Sequence, residues 1–169
     1  ERSFERMTAK PDWGIESITC YDGRDHLVEI NKKITGAFGD LVHFNVLGRE
    51  PAPRKILLVA PMSGHYSTLL RSTVNSLIID SEIYVTDWHN ARDIPVSEGS
   101  FDIEDYTKYL IDYIKFLGPD INVIAICQPA PLALIATAFL AQEKKGDQPK
   151  SLILMGGPID PSATPTEIT

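Results

Sequence analysis

Cysteine is scarce in this sequence. Cys20 and Cys127 are the only two in 169 residues. Two cysteines make no disulfide framework, and nothing near them has the spacing of a metal cluster. A soluble protein of a reducing compartment is the default expectation. Positive charge is also short: 16 Lys and Arg stand against 23 Asp and Glu, for a formal net charge of −7. That balance argues against nucleic acid, because a phosphate backbone selects for basic surfaces. The one basic cluster, EKKG at 143–146, reads as a solvated helix end. The first residues, ERSFERMTAKPDWG, lack the apolar core that a signal peptide needs. The longest apolar run, Pro129 to Ala141, is too short to span a bilayer. There is no P-loop, no dinucleotide glycine fingerprint and no metal-ligand spacing, so no cofactor is expected. Repeats and low-complexity segments are absent as well.

What is present is one domain's worth of chain, long enough to bury a core. Residues 1–54 read as an extended and hairpin region of the same domain as the rest. Within them Asp22-Gly23 separates two strand-like runs, a hairpin signal, and DLVHFNVL (40–47) is a further strand. From residue 55 to 169 the texture changes to alternating strands and helices. KILLVA (55–60), EIYVTDW (82–88), INVIAI (121–126) and SLILMG (151–156) are apolar runs without alternation, as expected for strands covered on both faces. Between them, Leu69, Leu70, Thr73, Val74, Leu77 and Ile78 recur at helical spacing. Asp102 can cap a second helix with the stripe Ile103, Tyr106, Leu110, Tyr113, Ile114 and Leu117, stopped by Gly118-Pro119. Pro131 to Lys144 reads as a third helix. This order predicts an α/β fold: a mostly parallel sheet with helices on both faces.

Cys127 falls at the seam between a strand and a helix, in Ala125-Ile126-Cys127-Gln128-Pro129. In an open parallel sheet reactive groups sit at the carboxyl ends of strands. A nucleophile elbow is small-x-nucleophile-x-small on such a strand-to-helix turn. Ala125 fits the first small position, whereas Pro129 replaces the usual glycine but suits a first helical turn. The thiol would also lie at the positive end of the helix, which favours thiolate. The competing reading is an inert buried cysteine, the commoner fate of that residue. A second feature favours chemistry. The loop in LLVAPMSGHYSTLLR (57–71) follows the earlier strand, where an acyl-transfer site needs a second backbone donor for a developing oxyanion. Gln128 N–H would be the first donor and Met62 or Ser63 N–H the second. Ordinary helix-start chemistry also explains that loop.

The blocks APMSGHYSTLLRSTV, YVTDWHNARDIPVSEGSFDIEDYTKYLIDYIKFLGPDINVIAICQP and LMGGPID together resemble the intracellular polyhydroxyalkanoate depolymerases. The resemblance runs from ITCYDGR to GGPIDPSATPT. It implies an α/β-hydrolase fold, breaking off after the sixth strand at Thr169. It implies hydrolysis of ester bonds in poly(3-hydroxybutyrate)-type storage polymer or its oligomers, with Cys127 of the CQP elbow as nucleophile. A cytoplasmic location at storage granules goes with that substrate. Members of the family carry their acid and histidine later in the chain, whereas His26, His43, His65 and His89 all precede Cys127. Asp160, His65 and His89 are therefore retained as candidates for the acid or for lining the cleft. A loop role for Asp160 competes, as do packing roles for Trp88 and Met62. Asp87 and Arg92 stand close enough in sequence to pair across their loop. The competing function is an inactive remnant that binds granules or a partner, and the uncovered sheet edge predicts self-association.

Overall fold

A computed structural model describes residues 9–62, 66–143, 146–160 and 162–163. Their strands form one seven-stranded sheet in the order β1-β2-β3-β5-β4-β6-β7. β1 (Ser17–Thr19) and β2 (Asp25–Thr35) are joined at Asp22-Gly23. Gly23 there takes φ +73°, and its N–H donates to the Cys20 carbonyl at 3.0 Å. A positive φ is what glycine supplies without steric cost. β3 (Gly39–Val46) lies between β2 and β5 (Ser81–Trp88), antiparallel to both. β5, β4 (Arg54–Val59), β6 (Ile121–Ile126) and β7 (Ser151–Met155) are mutually parallel.

The sheet is thus mixed. Parallel pairing holds for β4 to β7, where helical crossovers separate the strands. The short connections between β1, β2 and β3 leave room only for antiparallel neighbours. The strand expected as the sixth is the seventh in chain order, because the hairpin adds the three-residue β1 at the far edge. The apolar runs of β4 and β5 are buried as their lack of alternation implied: Leu57, Leu58, Val59, Ile83 and Val85 have no exposed surface.

α1 (Arg71–Leu77) follows a 3-10 turn over Ser67–Leu70, α2 spans Ile103–Leu117 and α3 spans Ala130–Glu143. The step from β4 to β5 runs one way along the sheet, and the steps to β6 and β7 run back across β4. Right-handed crossovers then place α1 on one face and α2 and α3 on the other, where α2 packs against α3. The reversal point lies at the carboxyl ends of β4, β5 and β6, the place where open α/β sheets take their ligands.

α2 begins on a capping box. The Asp102 carboxylate accepts from Glu104 and Asp105 N–H, and Asp105 accepts from Asp102 N–H. Tyr106, Leu110, Tyr113 and Ile114 are buried, but Ile103 is 66% exposed. This differs from the expected stripe. The first turn of α2 stands at the carboxyl edge of the sheet, beyond the strands it would cover.

α3 presents Ala130, Ala133, Ala136 and Leu140 inward. Its large side chains Ile135 and Phe139 stay about half exposed, as do Ile153 and Met155 on β7. Among the described residues β7 has no strand on its outer side, and no helix is long and apolar enough to cross a membrane. An apolar edge strand beside an apolar helix face drives association. The purified chain is therefore expected to elute from size-exclusion chromatography as concentration-dependent oligomers. The double substitution Ile153→Lys and Met155→Lys should shift it severalfold toward monomer. Unchanged oligomers would place the contact elsewhere.

Candidate functional site

The β6–β7 ladder runs one residue past β6, where Cys127 N–H donates to the Met155 carbonyl at 2.7 Å. There the chain turns sharply. Cys127 has φ +66°, and among the described residues no other non-glycine has a positive φ. A side chain in this left-handed region is sterically unfavourable and persists only where its surroundings hold it. Three hydrogen bonds and one close packing contact do so. The ladder bond fixes the amide before the turn. The Cys127 carbonyl accepts from Ala130 N–H at 3.0 Å, and Pro129 O accepts from Ala133 N–H at 2.9 Å, starting α3. Gly157 packs against the turn so closely that a Cβ there would sit 2.2 Å from Ala130 Cβ and 2.7 Å from the Cys127 carbonyl oxygen. The close approach is allowed by a residue without a Cβ in the segment after β7. Cys127 itself is exposed, whereas Cys20 is buried.

On the adjoining strand, the peptide group of Ala60 is bonded on both sides. Its N–H donates to Thr86 Oγ1 at 2.9 Å, and its carbonyl accepts from Trp88 Nε1 at 2.9 Å and from the Tyr106 hydroxyl at 3.0 Å. Burial pushes the Tyr106 hydroxyl well above the usual tyrosine range, so it remains a donor. Sequence reasoning took Trp88 as packing and gave Tyr106 no role beyond its stripe. The signal was their polar handles, since buried Trp and Tyr need a partner.

Ala60 leads through Pro61 to Met62, whose N–H donates to the side-chain carbonyl of Gln128 at 3.2 Å. The Met62 backbone and the Gln128 side chain are thereby brought together across β4 and β6. Ser63, Gly64 and His65 lie outside the described residues. Beside Gln128 and Met62 opens a cleft of about 380 Å³, walled by Phe101, Ile103, Tyr106 and Leu132. The exposure of Ile103 is on this wall.

The other candidates have separate surroundings. His89 places Nδ1 3.0 Å from the Ala37 carbonyl oxygen and Nε2 3.1 Å from Asp40. Burial opposes charge on Asp40, but Lys32 at 2.7 Å and His89 hold its carboxyl below the usual range. His89 does line a cleft, of about 610 Å³, shared with Lys10, Tyr66, Trp88 and Asp93, with neither Cys127 nor Gln128 on its wall. His26 contacts Leu47 O and Asp22, and His43 stacks on Tyr84. Asp160 accepts from the N–H and hydroxyl of Ser162, and these bonds hold its carboxyl below the usual range. That is the local turn role. Asp87 pairs with Lys10 and Ser67 and not with Arg92, because its carboxylate points into the buried side of β5. Among the described residues no side chain hydrogen-bonds the Cys127 thiol, and no group of three or more His, Cys, Asp or Glu could hold a metal.

Neither a protein-family profile nor a curated protein matches this sequence. Solved structures do match it. They include fungal esterases of Rhizomucor miehei (TM-score 0.57, 12% identity, 85% of this chain and 48% of theirs). A Pyrobaculum calidifontis esterase matches at TM-score 0.50 and 17% identity, over 82% of this chain and 48% of its own. A haloalkane dehalogenase of Bradyrhizobium elkani matches at TM-score 0.52 and 16% identity, over 77% and 42%. The fold is that of the α/β-hydrolases. The chain spans about half the length of these structures.

Two outcomes test this geometry. Iodoacetamide at neutral pH should label Cys127 at least tenfold faster than Cys20, read by peptide mapping. Equal labelling would contradict the exposure of the turn. Gly157→Val should lower stability by about 3 kcal/mol by forcing Ala130 and the turn apart. Urea denaturation would measure it, and a loss below about 1 kcal/mol would mean that Gly157 does not hold the elbow.

Proposed function

We propose that Cys127 is the nucleophile of an ester hydrolase acting on poly(3-hydroxyalkanoate) storage polymer or its oligomers. The observation that carries this reading is the left-handed turn at Cys127, which lifts an exposed thiol above the carboxyl edge of an α/β-hydrolase sheet. The resemblance of the CQP and LMGGPID blocks to the intracellular depolymerases supports the substrate. So does the apolar cleft beside Gln128, which suits the alkyl branch of a 3-hydroxyacyl unit.

In the reaction, the thiol loses its proton and the thiolate sulfur attacks the ester carbonyl carbon. A C–S bond forms as the carbonyl π pair moves to oxygen, where the N–H groups of Met62 and Gln128 receive it. Collapse expels the alkoxide of the polymer, which takes up a proton and leaves as a hydroxyl end. Water then attacks the thioester, releases the carboxylic acid and restores the thiol. His26, His43 and His89 are bound elsewhere, so the base comes from outside the described residues.

That last point favours the second reading, a non-catalytic module that binds granules or a partner through its apolar α3 and β7 face. One experiment separates the two. On incubation with p-nitrophenyl acetate, the 169-residue chain should release about one equivalent of nitrophenol and carry an acetyl group on Cys127. Later turnover should be slower by orders of magnitude, as expected for a thiol with no base beside it among the described residues. Cys127→Ala should show no burst. An acetyl group elsewhere, or none, would leave the binding module as the surviving reading.

A further inference from the structure

The cleft between the first turns of α2 and α3 offers a ligand carbon and little else. Tyr106 turns its ring to it, because its hydroxyl donates to the Ala60 carbonyl at 3.0 Å. Asp102 Oδ1 accepts from the N–H groups of Glu104 and Asp105 at 2.8 and 3.1 Å. Phe101, Ile103 and Leu132 complete that side of the wall. A polar group entering among them would exchange water for carbon, whereas an alkyl chain gains by leaving water.

The inner side of the cleft is held in shape by ring packing. Phe101 lies 4.7 Å from Phe38 between centroids, and Tyr106 lies 4.3 Å from Trp88. Ile103 stands at the open edge, exposed although it belongs to the apolar stripe of α2. We infer that the cleft is a pocket for the alkyl branch of a 3-hydroxyacyl unit and is sized for a branch of three or more carbons, with Ile103 and Leu132 setting that length. This rests on the ester-cleaving reading above, and it makes units longer than 3-hydroxybutyrate the preferred substrates.

Size and position both support it. The cleft holds about 380 Å³, within the range of sites that take small organic molecules. A methyl branch is comparable to one water molecule, whose share of liquid volume is about 30 Å³, and would leave most of the cleft to solvent. Gln128, the residue after the nucleophile, stands on the wall. In a thioester on Cys127 the branch begins at the fourth atom from sulfur, after the carbonyl carbon, the α carbon and the oxygen-bearing carbon. It therefore starts past the nucleophile, on the side where the cleft lies. Each further methylene buried there should favour reaction by roughly threefold.

The test uses the 169-residue chain and N-propyl iodoacetamide, whose propyl group also begins at the fourth atom from sulfur. The thiolate forms a C–S bond and iodide leaves, so no ester chemistry is involved. The rate of N-propyl iodoacetamide at Cys127 relative to iodoacetamide is divided by the same ratio for glutathione. The result should be about thirty, roughly threefold for each of three carbons. Ile103→Ser, at an exposed position whose replacement spares the core, should lower it at least threefold, and so should Leu132→Ala. In parallel, p-nitrophenyl hexanoate should acylate Cys127 about tenfold faster than p-nitrophenyl butyrate, since it adds two carbons. A normalised ratio near one overturns the pocket, and the ester-cleaving reading survives if either ester still acylates Cys127. A raised ratio that persists in both variants also overturns the pocket and puts the chain on another apolar surface. A raised ratio that falls in the variants, with no acylation by either ester, keeps the alkyl pocket and removes the ester-cleaving reading.

Discussion

The close approach of Gly157 to the turn at Cys127 is the constraint on which the rest of the site depends. A left-handed cysteine is a local strain, and such strain survives only where neighbours over-determine it. Here the neighbours come from three elements. β7 supplies the Met155 carbonyl, α3 supplies the Ala130 amide, and the segment after β7 supplies a residue without a Cβ. Any side chain at 157 would push Ala130 away and relax the turn. The exposed thiol is thus fixed by a residue thirty positions further along, through packing and not through chemistry.

A second constraint meets the first across β4 and β6. The Ala60 peptide is bound on its N–H and on its carbonyl by groups from β5 and α2. These bonds lie in the buried interior, where each donor and acceptor needs its partner. The loop that leaves β4 therefore starts from a fixed point. Met62 and Gln128 meet because β4 and β6, separated in the chain by α1, β5 and α2, are neighbours in the parallel sheet. The reversal of strand order creates the cleft, and Met62 and Gln128, each one or two residues past a fixed point, stand on its wall.

The fold was largely legible in the residues. Unalternating apolar runs marked β4 to β7, Asp22-Gly23 marked the hairpin, and Asp102 with Gly118 bracketed α2. These are local signals, and local signals survive folding. Ile103 failed because helical periodicity does not tell where a sheet ends. Asp87 and Arg92 failed because sequence proximity says nothing about which way a strand residue points. The strand-to-helix seam at Cys127 could be read from its setting, yet its left-handed backbone could not, since no glycine or asparagine announces it. The bonds of Ala60 and the contact between Met62 and Gln128 were out of reach. Both join residues far apart in the chain, and they depend on side-chain directions that only packing decides.

The turn at position 127 carries a thermodynamic consequence. Glycine would adopt φ +66° without steric cost, and a Cβ there costs on the order of 1 kcal/mol. Replacing Cys127 with glycine would relieve that steric cost, against the greater freedom glycine gives the unfolded chain. Position 127 is therefore one at which the backbone conformation alone favours glycine over cysteine. Screens for thermal resilience would meet at Cys127→Gly a change that relieves the turn and removes the one exposed thiol among the described residues.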